Sequence, residues 1–172
     1  DRAELRRILF EYGEERYAPQ IAAAIERARS ERPIQTTGEL AEIIRGAMPS
    51  SARKEKQHPA KRSFQAIRIA VNDELMAVEE AMQRAIDCLA PQGRLAVITF
   101  HSLEDRIVKA AFRKAAQGCT CPKDFPVCVC GNKPKVRLVA RKPLLPGAKE
   151  IAENPRARSA KLRVCERLAK ES

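Results

Sequence analysis

Aromatic residues are scarce in this chain: they make up 4% of it, and tryptophan is absent. Aliphatic side chains must therefore form most of any core. No apolar run approaches the roughly 18 residues of a membrane span, and no stretch has the pattern of a signal peptide. We therefore expect no membrane partner and a cytoplasmic location. None of the seven glycines lies two residues from another, which excludes the G-x-G turn with which many α/β folds bind nucleotides.

Acidic residues are outnumbered by basic ones. The chain has 33 Lys and Arg against 22 Asp and Glu, and its sequence pI is near 9.7. This surplus predicts a polyanionic partner, of which nucleic acid is the most common. A basic but inert surface is the alternative. With 172 residues, the chain can form one core, or one core and a small appended domain.

Residues 95–100 form a run that is apolar except for Thr99 and rich in branched side chains, and it is preceded by Pro91 and Gly93. The run predicts a strand in the middle of a parallel sheet, covered by helices on both faces. Ser102 is the predicted N-cap of the helix that follows. His101 and Ser102 then lie at the carboxyl end of the strand, where ligands bind in open α/β sheets. The alternative is that both are only turn and capping residues.

The sequence before this strand predicts two regions. Residues 1–57 contain three short apolar stripes at helical spacing, the third preceded by a capping box of Thr36 and Glu39, and so predict a small all-α domain. Residues 50–62 carry five positive charges and one acid, and form either a solvated linker or a loop that contacts phosphate. Apolar residues then recur every three or four positions over residues 64–89, which predicts one helix of roughly 39 Å.

Two groups of basic and amide side chains are candidates for contacts with RNA. The first lies on one face at the start of the predicted long helix, and the second lies in a proline-containing turn near the end of the chain. Arginine, asparagine and glutamine are side chains that bind bases and phosphates with defined geometry, although a solvated surface is the more common explanation. The candidates are Arg62, Gln65, Arg68, Asn72, Arg156 and Arg158.

Four cysteines form a C-x-C-x6-C-x-C array: Cys119, Cys121, Cys128 and Cys130. Four thiolates could bind zinc tetrahedrally, although the spacing is not the common C-x2-C. A reduced, metal-free loop and a pair of disulfides are the alternatives. Cys88 and Cys165 stand alone and are expected to be buried or half-buried. After the array, alternating residues around 136–140 and 161–165 predict an antiparallel pair of strands.

Several long segments resemble one family. The segments HPAKRSFQAIRIAVNDEL, GRLAVITFHSLEDRIVK and ENPRARSAKLRVCER resemble the signature blocks of the ribosomal small-subunit RNA methyltransferase H family, once called MraW, and YGEERYAPQIAAAI with TTGELAEII resembles its helical insert. The resemblance implies a class I methyltransferase that uses S-adenosylmethionine, with a Rossmann-like doubly wound sheet and a small all-α insert domain. It implies methylation of the exocyclic N4 amine of one cytidine in the 16S RNA of the 30S subunit.

The family's cofactor residues belong to an amino-terminal half that we expect this chain to lack. Residues 1–57 are then the helical insert and residues 58–172 the carboxyl-terminal part of the methyltransferase core. No cofactor-binding residue is assigned here; S-adenosylmethionine would bind through the missing half. His101 and Ser102 are the candidates for lining the target pocket. We expect the isolated chain to be inactive and to associate with a second copy or with the missing half. The alternative function is a non-catalytic RNA-binding or zinc-stabilised interaction module.

Overall fold

The computed structural model describes residues 1–53, 58–122 and 127–169. The chain forms two compact units, Asp1–Glu74 and Leu75–Ser172. The predicted domain boundary at residue 57 and the middle of the predicted linker lie outside the described residues. The helical unit extends to Glu74, and thus includes the first part of the predicted long helix.

Among its described residues, the first unit contains five helices: α1 (Arg2–Glu11), α2 (Ala18–Glu31), α3 (Thr37–Ala47), α4 (Ser50–Arg53) and α5 (Lys61–Asn72). The three short helices predicted from the apolar stripes are confirmed as α1, α2 and α3. The Thr36 side chain caps α3 by accepting a hydrogen bond from the Glu39 N–H at 3.1 Å. Leu9, Ile21 and Ile44 are fully buried in the shared core.

Gly13 allows α1 and α5 to approach each other closely. A Cβ atom at this position would lie 2.6 Å from the Leu9 carbonyl oxygen and 2.9 Å from the Arg62 carbonyl oxygen. Both distances are shorter than van der Waals contact, and both neighbours are backbone atoms that cannot swing away. Any larger residue would therefore force the two helices apart.

The prediction of one helix over residues 64–89 is wrong. Asp73 adopts a left-handed conformation, with φ 49° and ψ 37°, and separates α5 from α6 (Glu74–Cys88). The Glu74 carboxylate accepts hydrogen bonds from the Arg68 guanidinium at 2.8 and 2.9 Å and from the Asn72 amide at 3.2 Å. These contacts stabilise the break between the two helices. The apolar pattern does not reveal the break, because apolar residues continue to recur every three or four positions across Asp73.

The second unit combines helices with a small sheet. After α6 come β1 (Arg94–Thr99), α7 (Ser102–Ala116), β2 (Val136–Leu138), α8 (Ala148–Glu153), a 3₁₀ turn (Pro155–Ser159) and β3 (Lys161–Arg167). The strand order is β1-β3-β2, and both pairs are antiparallel. The predicted pairing of the strands now labelled β2 and β3 is confirmed. The predicted parallel sheet around a central β1 is not found among the described strands, where β1 is an edge strand with β3 as its antiparallel neighbour.

One face of this sheet packs against helices and the other is open. Leu95 and Val97 of β1 pack with Cys165 of β3 against apolar residues of α6 and α7. The next residues along β1 point the opposite way, and Ile98 is 58% exposed. Among the described residues, therefore, helices cover the sheet on one face instead of the predicted two.

The two isolated cysteines differ from each other. Cys165 is fully buried in the second core, as predicted, and burial raises the pKa of its thiol. Cys88 is exposed, so the prediction of a packing role for it is wrong: it is the last residue of α6 and lies at the end of the apolar stripe. Within the described ranges, every helix is too short or too polar to cross a membrane.

Candidate functional site

The junction between β1 and α7 is held by a reciprocal capping box. His101, and not the predicted Ser102, is the N-cap of α7: its Nδ1 accepts a hydrogen bond from the Glu104 N–H at 3.3 Å. The Glu104 carboxylate in turn accepts hydrogen bonds from the N–H groups of Phe100, at 2.9 Å, and His101, at 3.3 Å. Ser102 becomes the first helical residue because the glutamate that closes the box lies three residues after His101, which moves the start of the helix by one position.

The other ring nitrogen of His101 is buried and lacks a hydrogen-bond partner among the described residues. Because Nδ1 accepts the Glu104 N–H, a neutral imidazole carries its proton on Nε2, which is then a donor. This Nε2 is buried and makes no hydrogen bond of acceptable geometry among the described residues, although it lies 3.2 Å from Glu104 Oε1. The His101 side chain is 11% exposed. Its geometry suits a hydrogen-bond donor better than the proton acceptor that a catalytic base would require.

An ion pair that the sequence did not reveal stabilises the first turn of α7. Asp105 and Arg163 form a nearly buried bidentate pair, and Lys161 Nζ lies 3.5 Å from the same carboxylate. Hydrogen bonds from Arg163 hold the pKa of Asp105 below its ordinary value. One feature of the sequence indicated this ion pair. In the alternating pattern of β3, Arg163 lies on the face that packs against the core, opposite Val97 of β1.

The first group of predicted RNA contacts already has partners inside the helical unit. The Arg62 guanidinium donates to the Glu14 carbonyl at 3.4 Å, and the Gln65 amide donates to the Tyr12 carbonyl at 3.3 Å. Arg68 and Asn72 both bind the Glu74 carboxylate, as described above. These contacts give all four side chains a structural role, and contact with RNA stays a prediction.

The second group is free to bind a ligand. Arg156 and Arg158 are exposed on either side of the buried Ala157, in the 3₁₀ turn that Asn154 caps by accepting the Arg156 N–H at 3.2 Å. Neither guanidinium has a partner within the part of the chain that the structure describes. The turn thus presents two unpaired positive charges on a fixed backbone, and RNA binding by them also stays a prediction.

The four-cysteine array converges in space. The sulfurs of Cys119, Cys121, Cys128 and Cys130 all lie within 4.8 Å of one another. Hydrogen bonds from the backbone N–H groups of Asn132 and Thr120 lower the pKa of the Cys130 thiol to about 5. At Cys119 a hydrogen bond from the Cys121 backbone N–H lowers the pKa of the thiol, but hydrogen bonds with the neighbouring thiols together outweigh it and raise that pKa to about 12. Convergence is what the metal hypothesis requires, although the metal itself stays a prediction.

The fold and its junction define a mixed α/β protein with a helical unit and a capped strand-to-helix turn at the carboxyl end of β1. Comparison with known families narrows the class. The model of the MraW methylase family matches residues 1–168, so the chain belongs to the MraW methylase family.

Curated relatives agree with this assignment. The chain is 59% identical over 165 residues to a protein of Heliobacterium modesticaldum and 58% identical over 166 residues to one of Geobacter sp. strain M21. A protein of Carboxydothermus hydrogenoformans is 59% identical over 166 residues. All three are named ribosomal RNA small subunit methyltransferase H. Each alignment covers 96% of this chain and 53% of the relative, so the chain spans about half the length of the curated relatives that it matches.

Membership of a methylase family implies S-adenosylmethionine as methyl donor, but the described residues do not form a site for it. The backbone N–H groups of Phe100 and His101, which could otherwise face a ligand at the start of α7, already donate to Glu104. The glycine-rich turn that would let a nucleotide approach the backbone is absent from the sequence. No methyl-donor contact is therefore assigned to any residue of this chain.

Proposed function

We propose that this chain is the carboxyl-terminal portion of an enzyme that uses S-adenosylmethionine to methylate the N4 amine of a cytidine in small-subunit ribosomal RNA. The observation that carries the proposal is 58–59% identity, across 96% of the chain, to relatives named as methyltransferases of that RNA. The basic composition fits a ribonucleic acid substrate, and such a substrate implies action in the cytoplasm. The comparisons give no support to the predicted association with a second copy of the chain.

We propose further that the sheet is completed by the portion that the relatives have and this chain does not match. Along its edge away from β3, β1 has no partner among the described strands. The open face of the sheet carries Ala96 and Ile98 of β1 beside Val164 and Leu162 of β3. A strand that is apolar on both faces suits a doubly wound sheet, and the Rossmann-like core with its helical insert is the arrangement that this proposal requires.

In this proposal His101 orients the target nucleotide. Its Nε2–H, buried at the carboxyl end of β1, donates to an acceptor atom of the cytidine, and Ser102 lines the same pocket. Methyl transfer depends mainly on positioning the two reactants, so a fixed donor is useful without being a base. The capping box holds the imidazole in one orientation and one tautomer.

Arg156 and Arg158 supply phosphate contacts in this proposal, because they are the exposed and unpaired members of the predicted RNA-binding set. The predicted set also includes four side chains that already have partners: Arg62, Gln65, Arg68 and Asn72. To bind RNA, each of them must either use a polar group that its present hydrogen bonds leave free or give up those hydrogen bonds.

The test is methylation of small ribosomal subunits that lack the modification. The whole protein, with this chain and the remaining length that the relatives have, is incubated with the subunits and S-adenosylmethionine labelled in its methyl group. We expect about one methyl group per subunit, recovered after nuclease digestion as N4-methylcytidine. Label on another nucleotide, or in protein only, would overturn the proposal.

The alternative is a non-catalytic RNA-binding or zinc-stabilised module, which the converged thiols and the unpaired arginines favour. The same assay distinguishes the two functions. A module would bind the subunits with a steep dependence on salt but would transfer no methyl group under conditions in which the whole protein binds the methyl donor.

A further inference from the structure

We propose that Cys119, Cys121, Cys128 and Cys130 bind one zinc ion in a closed, structural four-thiolate site. The proposed methyl transfer does not require this site, and the proposal does not depend on that function. Its basis is the geometry of the loop between α7 and β2 together with the chemistry of four free thiols.

The distances between the sulfurs fit a tetrahedral ion. Four thiolates at ~2.3 Å from zinc lie ~3.8 Å from one another. The Cys128 and Cys130 sulfurs are 3.6 Å apart, and the Cys119 and Cys130 sulfurs are 3.7 Å apart. All four lie within 4.8 Å of one another, so small side-chain movements would bring each of them to a common centre.

Backbone N–H groups point at the sulfurs. Cys130 Sγ accepts from the N–H groups of Thr120 at 3.3 Å and Asn132 at 3.5 Å, and Cys121 Sγ accepts from the Val129 N–H at 3.4 Å. Four thiolates and Zn²⁺ carry a net charge of −2, which such donors partly offset. The protein therefore supplies an outer shell of hydrogen bonds for the same sulfurs that would ligate the ion.

Hydrogen bonds between the two ends of the loop hold the four cysteines close together. Gly131 has a left-handed φ of 60°, which turns the chain so that the Asn132 N–H reaches back to Cys130. The Asn132 amide donates to the carbonyl oxygens of Gln117 at 3.2 Å and Gly118 at 2.7 Å. These bonds join the two ends of the loop just outside the first and last cysteines.

The other roles for these cysteines fit less well. Three of the four are exposed and the fourth is half-buried, so they do not pack a core as Cys165 does. All are free thiols, and the closest sulfurs are far beyond the ~2.0 Å of a disulfide bond. Four soft thiolates in a tetrahedron select zinc or iron. We assign zinc because a site that only holds a loop needs no redox chemistry.

The first test is metal content. The whole protein, with this chain and the remaining length that the relatives have, is purified from cells grown with zinc and without chelators and is expected to contain about one zinc per molecule. Cys128→Ser and Cys130→Ser should each lose most of it. Cys88→Ser is the matched control, since this exposed thiol lies outside the array, and should retain it. Well under 0.5 zinc per wild-type chain, or iron in place of zinc, would overturn the proposal.

The second test does not depend on the folding of a variant. Cobalt is added to the metal-free wild-type chain under reducing conditions, and the visible spectrum is recorded. Intense d–d bands of tetrahedral cobalt with thiolate-to-metal charge-transfer bands are expected, and added zinc should abolish them. An octahedral, weakly coloured spectrum would contradict the site, as would four thiols that become titratable only after reduction of disulfides.

Discussion

The carboxylate of Asp105 accepts two nearly parallel hydrogen bonds from the guanidinium of Arg163, with Oδ1 at 2.6 Å from Nε and Oδ2 at 3.0 Å from Nη2. Each side chain is 11% exposed. The pair joins the first turn of α7 to the middle of β3. Because His101 caps the same turn, the orientation of its imidazole depends on a strand that is distant in the sequence.

Asp105→Asn should destabilise the 172-residue chain by about 3 kcal/mol, because it leaves the nearly buried Arg163 and the neighbouring Lys161 without a counter-charge. Urea denaturation measures the change in the free energy of unfolding. The control is Glu153→Gln, which removes the same charge from an exposed i,i+4 pair with Lys149 and should cost less than about 0.5 kcal/mol. Equal effects of the two substitutions would contradict a structural role for the pair.

The pair also has a defined pH dependence. The pKa of Asp105 is lowered in the folded state by Arg163, so its stabilisation is present above the ordinary carboxyl pKa of about 3.9 and is lost as the pH falls through the lower folded value. Between about pH 5 and pH 3, the wild-type chain should therefore lose more stability than Asp105→Asn does. Parallel stability curves for the two proteins would show that Asp105 is not responsible.

Substitutions of His101 separate capping from ligand contact. His101→Ala removes both, and should cost about 1 kcal/mol of stability as well as activity. His101→Asn keeps a side chain that caps helices well but removes the Nε2 donor, so it should fold normally. In the whole protein it should reduce methylation about tenfold, the effect of losing ~1.4 kcal/mol of hydrogen bonding. If His101→Asn retained full activity, the proposed contact between Nε2 and the nucleotide would be wrong, and His101 would act only as the cap of α7.

Replacing Arg156 and Arg158 by alanine should weaken binding of the whole protein to ribosomal RNA. The slope of log affinity against log salt concentration should become shallower by about one unit per lost phosphate contact. Arg84→Ala is the control, because this highly exposed arginine of α6 lies outside the predicted RNA-binding set and pairs with the exposed Glu80. An unchanged salt slope accompanied by lower stability would make the two arginines structural.

Calorimetry on the 172-residue chain alone should detect no binding of S-adenosylmethionine, because its sequence has no glycine-rich turn and the N–H groups of Phe100 and His101 already donate to Glu104. Addition of the remaining portion of the whole protein as a separate chain should restore binding. A micromolar dissociation constant for the 172-residue chain by itself would show that a cofactor site exists among its own residues.

Features encoded over a few residues could be predicted from the sequence. The capping of α3 by Thr36 and the convergence of the four cysteines depend on short spacings, and both appear in the structure. The cap of α7 is equally local, but His101 and Ser102 are adjacent candidates, and Glu104 decides between them by closing the box from His101.

The break at Asp73 is also local, but the apolar spacing hides it because that spacing continues unchanged across the point where Glu74 binds Arg68 and Asn72. Features set by distant parts of the chain could not be predicted from short spacings at all. The neighbour of β1 and the Asp105–Arg163 pair depend on where β3 lies. Strand pairing and buried ion pairs are tertiary contacts, which hydrophobic periodicity does not encode.

The order β1-β3-β2 also has a consequence for synthesis of the protein. β3 lies between the other two strands but is made after both, and Lys161, at its start, follows Thr99, at the end of β1, by 62 residues. At translation rates of about 5–20 residues per second, β1 would lack its partner β3 for several seconds after it is made. The helical unit, whose contacts are made entirely by earlier residues, can fold in that interval. The pairing of β1 with β3 must wait, and in that interval the edge of β1 that β3 later covers is the part that a chaperone would need to shield.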